Sequence, residues 1–159
     1  MLKEKLQEFT VRVTQANRSE LIVIMYDMMK ADIDYAKELL AQGELPLYEK
    51  ECRHAQKILN ELMGALDYHY AISYDLLSLY SFMNKNLVAA MMKKDASYFK
   101  GIELILEQLS TGFQEVSKQD TSGAMMQNTQ QVFAGLTYGR GTLNESTIGL
   151  NDANRGFVI

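Results

Sequence analysis

The stretch of residues 47–66 reads LYEKECRHAQKILNELMGAL and carries the clearest helical pattern of the chain. Its apolar residues recur at alternating steps of four and three, at Tyr48, Cys52, Ala55, Leu59, Leu62 and Leu66. This spacing places them along one face of an α-helix, as in helices that pack lengthwise against one another. Pro46 stands just before them, where a proline in the first turn costs no helical hydrogen bond. The stretch therefore predicts one long helix of a helical bundle.

The segments on both sides predict three more helices. Asn17 and Glu20 are spaced as a capping box, so a helix is expected to begin near Arg18 and to end at Gly43. Downstream, a helix is expected over residues 71–93 and another after Asp95. Their apolar stripes are Ile72, Leu76, Leu79, Met83 and Leu87, and then Phe99, Ile102, Leu106, Leu109, Phe113 and Val116. Four helices of roughly 22 residues joined by short turns predict antiparallel neighbours.

The chain divides into three parts. Residues 1–17 are expected to form a short amphipathic lid, because Leu2, Leu6, Phe9 and Val13 recur at helical spacing. Residues 18–118 are expected to form the bundle, and residues 119–159 a glycine-rich tail with a short helix near 125–136. The predicted fold class is all-α: an antiparallel four-helix bundle with a short N-terminal amphipathic segment and a long C-terminal tail.

The composition excludes several classes of partner. The 159 residues carry a net charge of −4 and the pI is near 5.2, whereas phosphate binding needs a clustered basic face. The longest apolar run, LIVIMY at residues 21–26, is too short to cross a bilayer, and no signal-peptide core opens the chain. We therefore expect a cytoplasmic protein that binds no nucleic acid and does not insert into membranes. The single cysteine, Cys52, lies on the apolar stripe and is expected to be a buried thiol.

The residues ECRH, Glu51 to His54, match half of the metal-binding pattern of helical bundles. The pattern needs a second Glu-x-x-His, but the other histidine, His69, has Leu66 three residues before it. Glu51 and His54 flank the apolar stripe and are expected to be solvated, so no metal site is predicted.

No catalytic pattern is found either. The sequence lacks a phosphate-binding glycine loop and a Gly-x-Ser-x-Gly elbow. The acidic residues Asp27, Asp32, Asp67 and Asp75 are expected on helix surfaces and helix ends. The protein is expected to be no enzyme and to use no cofactor.

The chain has more apolar surface than a bundle needs. Residues 21–26 would cover the whole circumference of a helix, and LLSLYSFM at residues 76–83 adds a second apolar face beside the stripe. This excess is explained either by thicker packing under the N-terminal segment or by a groove for an amphipathic partner helix. Ten methionines, whose side chains adapt to an incoming surface, suit the second explanation.

Three stretches carry a resemblance to a known family. NRSELIVIMYDMM (17–29), AQKILNELMGALDY (55–68) and LLSLYSFMNKNLVAAMMKKD (76–95) resemble, in order and spacing, the signature stretches of the flagellar secretion chaperone FliS family. The resemblance covers about residues 9–118. The sequence departs from it with Asn17-Arg18 where the family usually has Ser-Pro, with Met28-Met29 in place of Gly-Ala, and with Asn86 where a second arginine often follows.

The resemblance implies a cytosolic chaperone. Such a protein binds the disordered C-terminal segment of flagellin, prevents its premature polymerisation and delivers it to the flagellar export apparatus. Components of the export gate are further partners to consider. Candidate flagellin contacts are Phe9, Tyr26, Met29, Leu77, Tyr80 and Met91. The alternative is a non-enzymatic structural or regulatory helical protein that self-associates through the same apolar surface.

The tail contains an unexpected apolar stripe. In QNTQQVFAGL, residues 127–136, Val132, Phe133 and Leu136 share one helical face, although the tail is otherwise polar and rich in glycine. One interpretation is a weakly apolar tail without further role. The other is that these residues resemble a flagellin C-terminus and fold into the protein's own client groove, or that of a neighbouring subunit, until flagellin displaces them.

Overall fold

The computed structural model describes residues 2–125. They form five α-helices: α1 (Lys3–Gln15), α2 (Arg18–Ala41), α3 (Leu45–Gly64), α4 (Ile72–Lys93) and α5 (Phe99–Gln119), with a 3₁₀ turn at Ala96–Tyr98. Helices α2 to α5 form an antiparallel bundle, and the shorter α1 packs on α2. The predicted all-α, four-helix bundle with an N-terminal amphipathic segment is confirmed.

Local sequence sets the ends of the helices. At the start of α2, the backbone N–H of Glu20 donates to Asn17 Oδ1, and the N–H of Asn17 donates to Glu20 Oε2, both at 2.9 Å, which completes the predicted capping box. Gly43 adopts φ +76°, a left-handed conformation that glycine reaches without strain, and the chain turns there into α3. Asp95 caps the 3₁₀ turn by accepting a hydrogen bond from the Ser97 N–H.

Helix α2 is the most enclosed element of the bundle. It packs extensively against α3 and α5, while α4 closes the ring by packing against those same two helices. The largest fully buried side chains from these helices are Tyr26, Met29, Ile33, Tyr48, Leu59, Tyr80, Met83, Leu87, Phe99 and Ile102. None of the helices within residues 2–125 has the length and apolar content needed to cross a membrane.

Helix α1 covers the remaining face of α2. A second apolar cluster joins Phe9 and Ala16 to Ile24 and Ala31. The Arg12 guanidinium also forms an ion pair with Asp27 of α2, at 2.7 Å. The first turns of α1 are not covered in this way, because Leu2 and Leu6 remain about half exposed. The C-terminal half of α1 therefore holds the helix on the bundle.

Candidate functional site

Three of the six candidate flagellin contacts lie inside the bundle. Tyr26, Met29 and Tyr80 are at most 2% exposed. The Tyr26 and Tyr80 hydroxyls share a hydrogen bond of 2.5 Å, and the Tyr26 ring packs edge-on against Phe113 at 5.8 Å between centroids. Burial raises the pKa of both phenols, which keeps them neutral. These residues connect α2, α4 and α5 in the core, and Tyr26 also borders a cavity between α2 and α5.

The other three candidates lie nearer the surface. Phe9 lies on the face of α1 that packs against α2, where it is buried. Leu77 and Met91 are half-buried on α4. Asn84 lies seven residues from each of them, nearly two helical turns, so the three residues share one face of α4. Asn84 accepts a hydrogen bond from Gln56 of α3, at 3.0 Å, so this face borders α3. Leu77 and Met91 therefore lie along the α3–α4 seam, within reach of a partner.

A more exposed apolar area lies on the opposite seam, between α4 and α5. Phe82 of α4 is 47% exposed, and a Cβ built on Gly101 would lie 3.4 Å from its ring, so the two helices meet there. Ile72 lies ten residues before Phe82, and Gly112 eleven residues after Gly101. Because α4 and α5 are antiparallel, Ile72 and Gly112 lie at about the same level along the bundle.

Two further apolar side chains on α5 extend this area. Leu104 and Val116 are 58% and 52% exposed, and each lies one turn after one of the glycines. A Cβ at Gly112 would meet nothing within 4 Å, so the area is open at that point. We call this area the α4–α5 surface; it consists of Ile72, Phe82, Gly101, Leu104, Gly112 and Val116.

Aromatic and aliphatic side chains continue from the α4–α5 surface. Beside Ile72, the exposed rings of Tyr68 and Tyr74 pack against each other with centroids 5.2 Å apart. Farther along the outward face of α4, Met92 is 74% exposed. Soluble proteins seldom leave so many large apolar side chains together without a binding role.

The α4–α5 surface was not predicted from the sequence. Phe82 and Leu104 lie outside the apolar stripes that mark the core, so their exposure could have been predicted from the sequence. Val116 does belong to its stripe, but it lies one turn beyond Gly112, which is level with the first residue of α4. Helix α4 does not extend that far along α5, so Val116 is exposed on this side.

The prediction that Glu51 is solvated is wrong, as is the placement of Asp32 on a helix surface, whereas the His54 side chain is 40% exposed. Asp32 is completely buried, Glu51 is only 9% exposed, and His54 Nδ1 lies 2.6 Å from Asp32 Oδ2. The cause is tertiary, because α1, α3 and α5 together cover nearly all of α2. Among residues 2–125, no three His, Cys, Asp or Glu side chains are grouped so as to hold a metal ion.

The pair formed by Asp32 and His54 is tightly coupled. Burial raises the pKa of Asp32, and the hydrogen bond that His54 Nδ1–H donates to Asp32 raises the pKa of His54. Burial also raises the pKa of the Cys52 thiol to about 11, so this cysteine is protonated at neutral pH, in line with the expected buried thiol.

The tail candidates Val132, Phe133 and Leu136, and the short helix expected near 125–136, lie outside the described residues apart from Met125 itself. Met125 is about half exposed at the end of the described chain.

A family model for flagellar protein FliS matches residues 2–120. A search of curated proteins finds no match to the chain. The matched range includes α1 and all four helices of the bundle, and thus both the α4–α5 surface and the α3–α4 seam. The chain therefore belongs to the FliS flagellar protein family, and it is a flagellin export chaperone without enzymatic activity.

Proposed function

We propose that the chaperone holds the C-terminal segment of flagellin against α4, on the α4–α5 surface and along the α3–α4 seam. The observation that carries this proposal is the set of four large apolar side chains, Ile72, Phe82, Leu104 and Val116, each between 47% and 59% exposed, on two adjacent helices. Helix α5 is 21 residues long, about 32 Å at 1.5 Å per residue, which is enough for a docked helix of several turns.

The chemistry of the two partners is complementary. A flagellin terminus buries its apolar face against other subunits in the filament, so a free terminus needs a substitute apolar surface. A disordered segment that folds as it binds spends part of its interaction energy on ordering, which keeps the complex releasable. Binding on this surface hides the polymerising face of the segment and so prevents premature polymerisation.

Helix α4 suits a segment that wraps around the bundle. Phe82 borders α5, Leu77 and Met91 border α3, and Tyr74 and Met92 are exposed between them. A client can therefore contact apolar side chains on both seams and on the outward face. Leu77 and Met91 remain our candidates for client contact, whereas Tyr26, Met29 and Tyr80 support the surface from within.

We also propose that the chaperone binds flagellin in the cytoplasm and that components of the flagellar export gate receive the complex. Family membership supports both points. The outward faces of α1 and α3 leave other surfaces of the bundle available to such partners.

The test compares flagellin binding by the wild type and by two matched double variants. Phe82→Ser with Leu104→Ser removes apolar area from the α4–α5 surface, and Val11→Ser with Leu47→Ser removes exposed apolar area elsewhere. We expect the first pair to lower affinity at least about tenfold, which corresponds to about 1.4 kcal/mol, and the second pair to leave it unchanged. Calorimetry and size-exclusion chromatography measure the complex, and light scattering follows flagellin polymerisation.

Equal affinity in both double variants would contradict the proposed surface. Sedimentation of the chaperone alone at several concentrations distinguishes the remaining alternative, because a self-association face gives a mass that rises with protein concentration. If the wild type self-associates in this way and does not slow flagellin polymerisation, the chaperone complex proposed here is wrong.

A further inference from the structure

Two cavities follow each other along α2 and α5, and together we call them the α2–α5 groove. The first, of about 350 Å³, is also bordered by Arg12 and Gln15 of α1, and the second, of about 520 Å³, lies between α2 and α5. On α5 the bordering residues extend from Ser117 back to Glu103, a distance of about 21 Å at 1.5 Å per residue. On α2 they extend from Glu20 to Lys30. This groove lies on the opposite side of α5 from Gly101 and Gly112, and Leu104 lies on the outer face of α5 between the groove and those glycines.

The groove has an apolar floor and polar walls. The floor includes three buried side chains, Val23, Tyr26 and Leu106. The wall formed by α5 offers hydroxyl and amide groups on Ser110, Thr111 and Gln114. Such a groove fits a segment that carries apolar side chains on one face and amide or hydroxyl side chains beside them.

The charges beside the groove are largely balanced within the protein. Ion pairs join Asp27 to Arg12, Lys30 to Asp34 and Glu103 to Lys37. Glu107 adds a negative charge at the rim. The groove therefore offers no strong attraction to a highly charged ligand, and an uncharged segment fits it best.

The chain itself returns to the mouth of this groove. After α5 ends, Asp120 Oδ2 accepts a hydrogen bond from the Ser19 hydroxyl at the start of α2, at 3.0 Å. The backbone N–H of Met125 then donates to the carbonyl oxygen of Ala16, at 3.0 Å, and Ala16 borders the first cavity. The remaining 34 residues, 126–159, thus begin beside the groove.

The first part of those 34 residues has the matching chemistry. QNTQQVFAGL at residues 127–136 has no charged side chain, and Arg140 is the first charge after Asp120. Its amide and hydroxyl residues stand beside the helical stripe of Val132, Phe133 and Leu136. As a helix, ten residues span about 15 Å, which is shorter than the groove.

We propose that residues 127–136 dock in the α2–α5 groove of their own chain, with Val132, Phe133 and Leu136 on the apolar floor. Tethering at Met125 favours this contact even when the segment binds weakly, because a covalent link of a few residues can give an effective concentration of about a millimolar. The docked segment shields the α2–α5 groove and holds α1, α2 and α5 together. The proposal concerns this chain alone and does not depend on where flagellin binds.

Amide hydrogen exchange on the full chain tests the proposal. Changing Val132, Phe133 and Leu136 to serine removes the docking stripe, and changing Ile148, Leu150 and Phe157 to serine is a control of equal size within the same tail. We expect exchange within residues 127–136 and at groove residues of α5 to be at least about tenfold faster in the first variant than in the wild type. The control variant should exchange as the wild type does.

Two results would overturn the proposal. One is exchange of residues 127–136 in the wild type at the rate of an unstructured peptide, with no difference between the variants. The other is protection that rises with protein concentration, because that result assigns the groove to the tail of a second copy. Protection that is independent of concentration and lost only in the first variant supports docking within one chain.

Discussion

At the scale of single residues, the most constrained polar contact is the one between Asp32 and His54. Asp32 is completely buried, whereas the His54 side chain is 40% exposed. Their atoms Oδ2 and Nδ1 lie 2.6 Å apart, and the contact joins α2 to α3. Such a pair does not add much stability compared with apolar packing, but it makes stability depend on pH.

We expect the free energy of unfolding to fall as pH rises above about 6.5, the ordinary pKa of histidine. The folded-state pKa of His54 is raised, so its contribution is fully present below that pH and is lost as pH rises through the folded-state value. The raised pKa of Asp32 has the same sign, but its effect begins above the ordinary carboxyl pKa of 3.8, because ionising a buried carboxyl costs more in the folded protein. Urea unfolding between pH 5.5 and 8.5 measures the effect, on the order of 1 kcal/mol.

The matched variant is His54→Asn, whose amide can still donate to Asp32 but does not titrate. Its stability should change less over this pH range than that of the wild type. The same pH dependence in both proteins would show that other groups are responsible.

At the scale of elements, α1 shows how far local sequence determines structure. Its range of Lys3–Gln15 agrees with the helical spacing of Leu2, Leu6, Phe9 and Val13. The capping box of Asn17 and Glu20 likewise predicted the start of α2. These features depend on neighbours within one or two turns, so the sequence contains them. The burial of Asp32 was missed because it depends on three separate helices that converge on α2.

Deleting residues 2–8 tests whether α1 is a lid. We expect the bundle to remain folded, with a change in the free energy of unfolding below about 1 kcal/mol, because Leu2 and Leu6 are half exposed while Phe9 and Ala16 hold the packed end. The proposed client surface lies on α4 and α5, away from α1, so affinity for flagellin should not fall. Circular dichroism and calorimetry measure the two quantities.

A milder change separates the length of α1 from its apolar side chains. Leu2→Ser with Leu6→Ser keeps the helix and removes the exposed apolar groups. If the deletion unfolds the bundle, α1 belongs to the core; if either variant loses affinity for flagellin, α1 provides client contacts instead of covering a surface.

At the scale of the whole molecule, the architecture separates stability from binding. The core lies between the four bundle helices, while six exposed large apolar side chains lie on α4 and α5 and others lie on α1 and α3. The sequence could predict an excess of apolar surface, because the apolar faces of each predicted helix follow from the residue spacing. It could not predict which seam would be exposed, since this depends on where the helices begin and end relative to one another. The client residues proposed from the sequence were therefore drawn largely from the core.

This separation predicts the thermodynamic signature of flagellin binding. Burial of the α4–α5 surface and folding of the client segment remove apolar area from water, so binding should have a clearly negative heat-capacity change. The net charge of −4 and the apolar character of the surface predict a weak dependence on salt, with affinity changing less than about threefold between 50 and 500 mM salt. Calorimetry at several temperatures and salt concentrations measures both quantities.

The variant with Phe82→Ser and Leu104→Ser connects this signature to the proposed surface. If those side chains become buried on binding, their loss should make the heat-capacity change less negative as well as weaken affinity, because both effects follow from the same apolar area. Weaker affinity with an unchanged heat-capacity change would mean that the two residues act indirectly. A steep loss of affinity with salt would show that charged contacts, not the apolar surface of α4 and α5, hold the client.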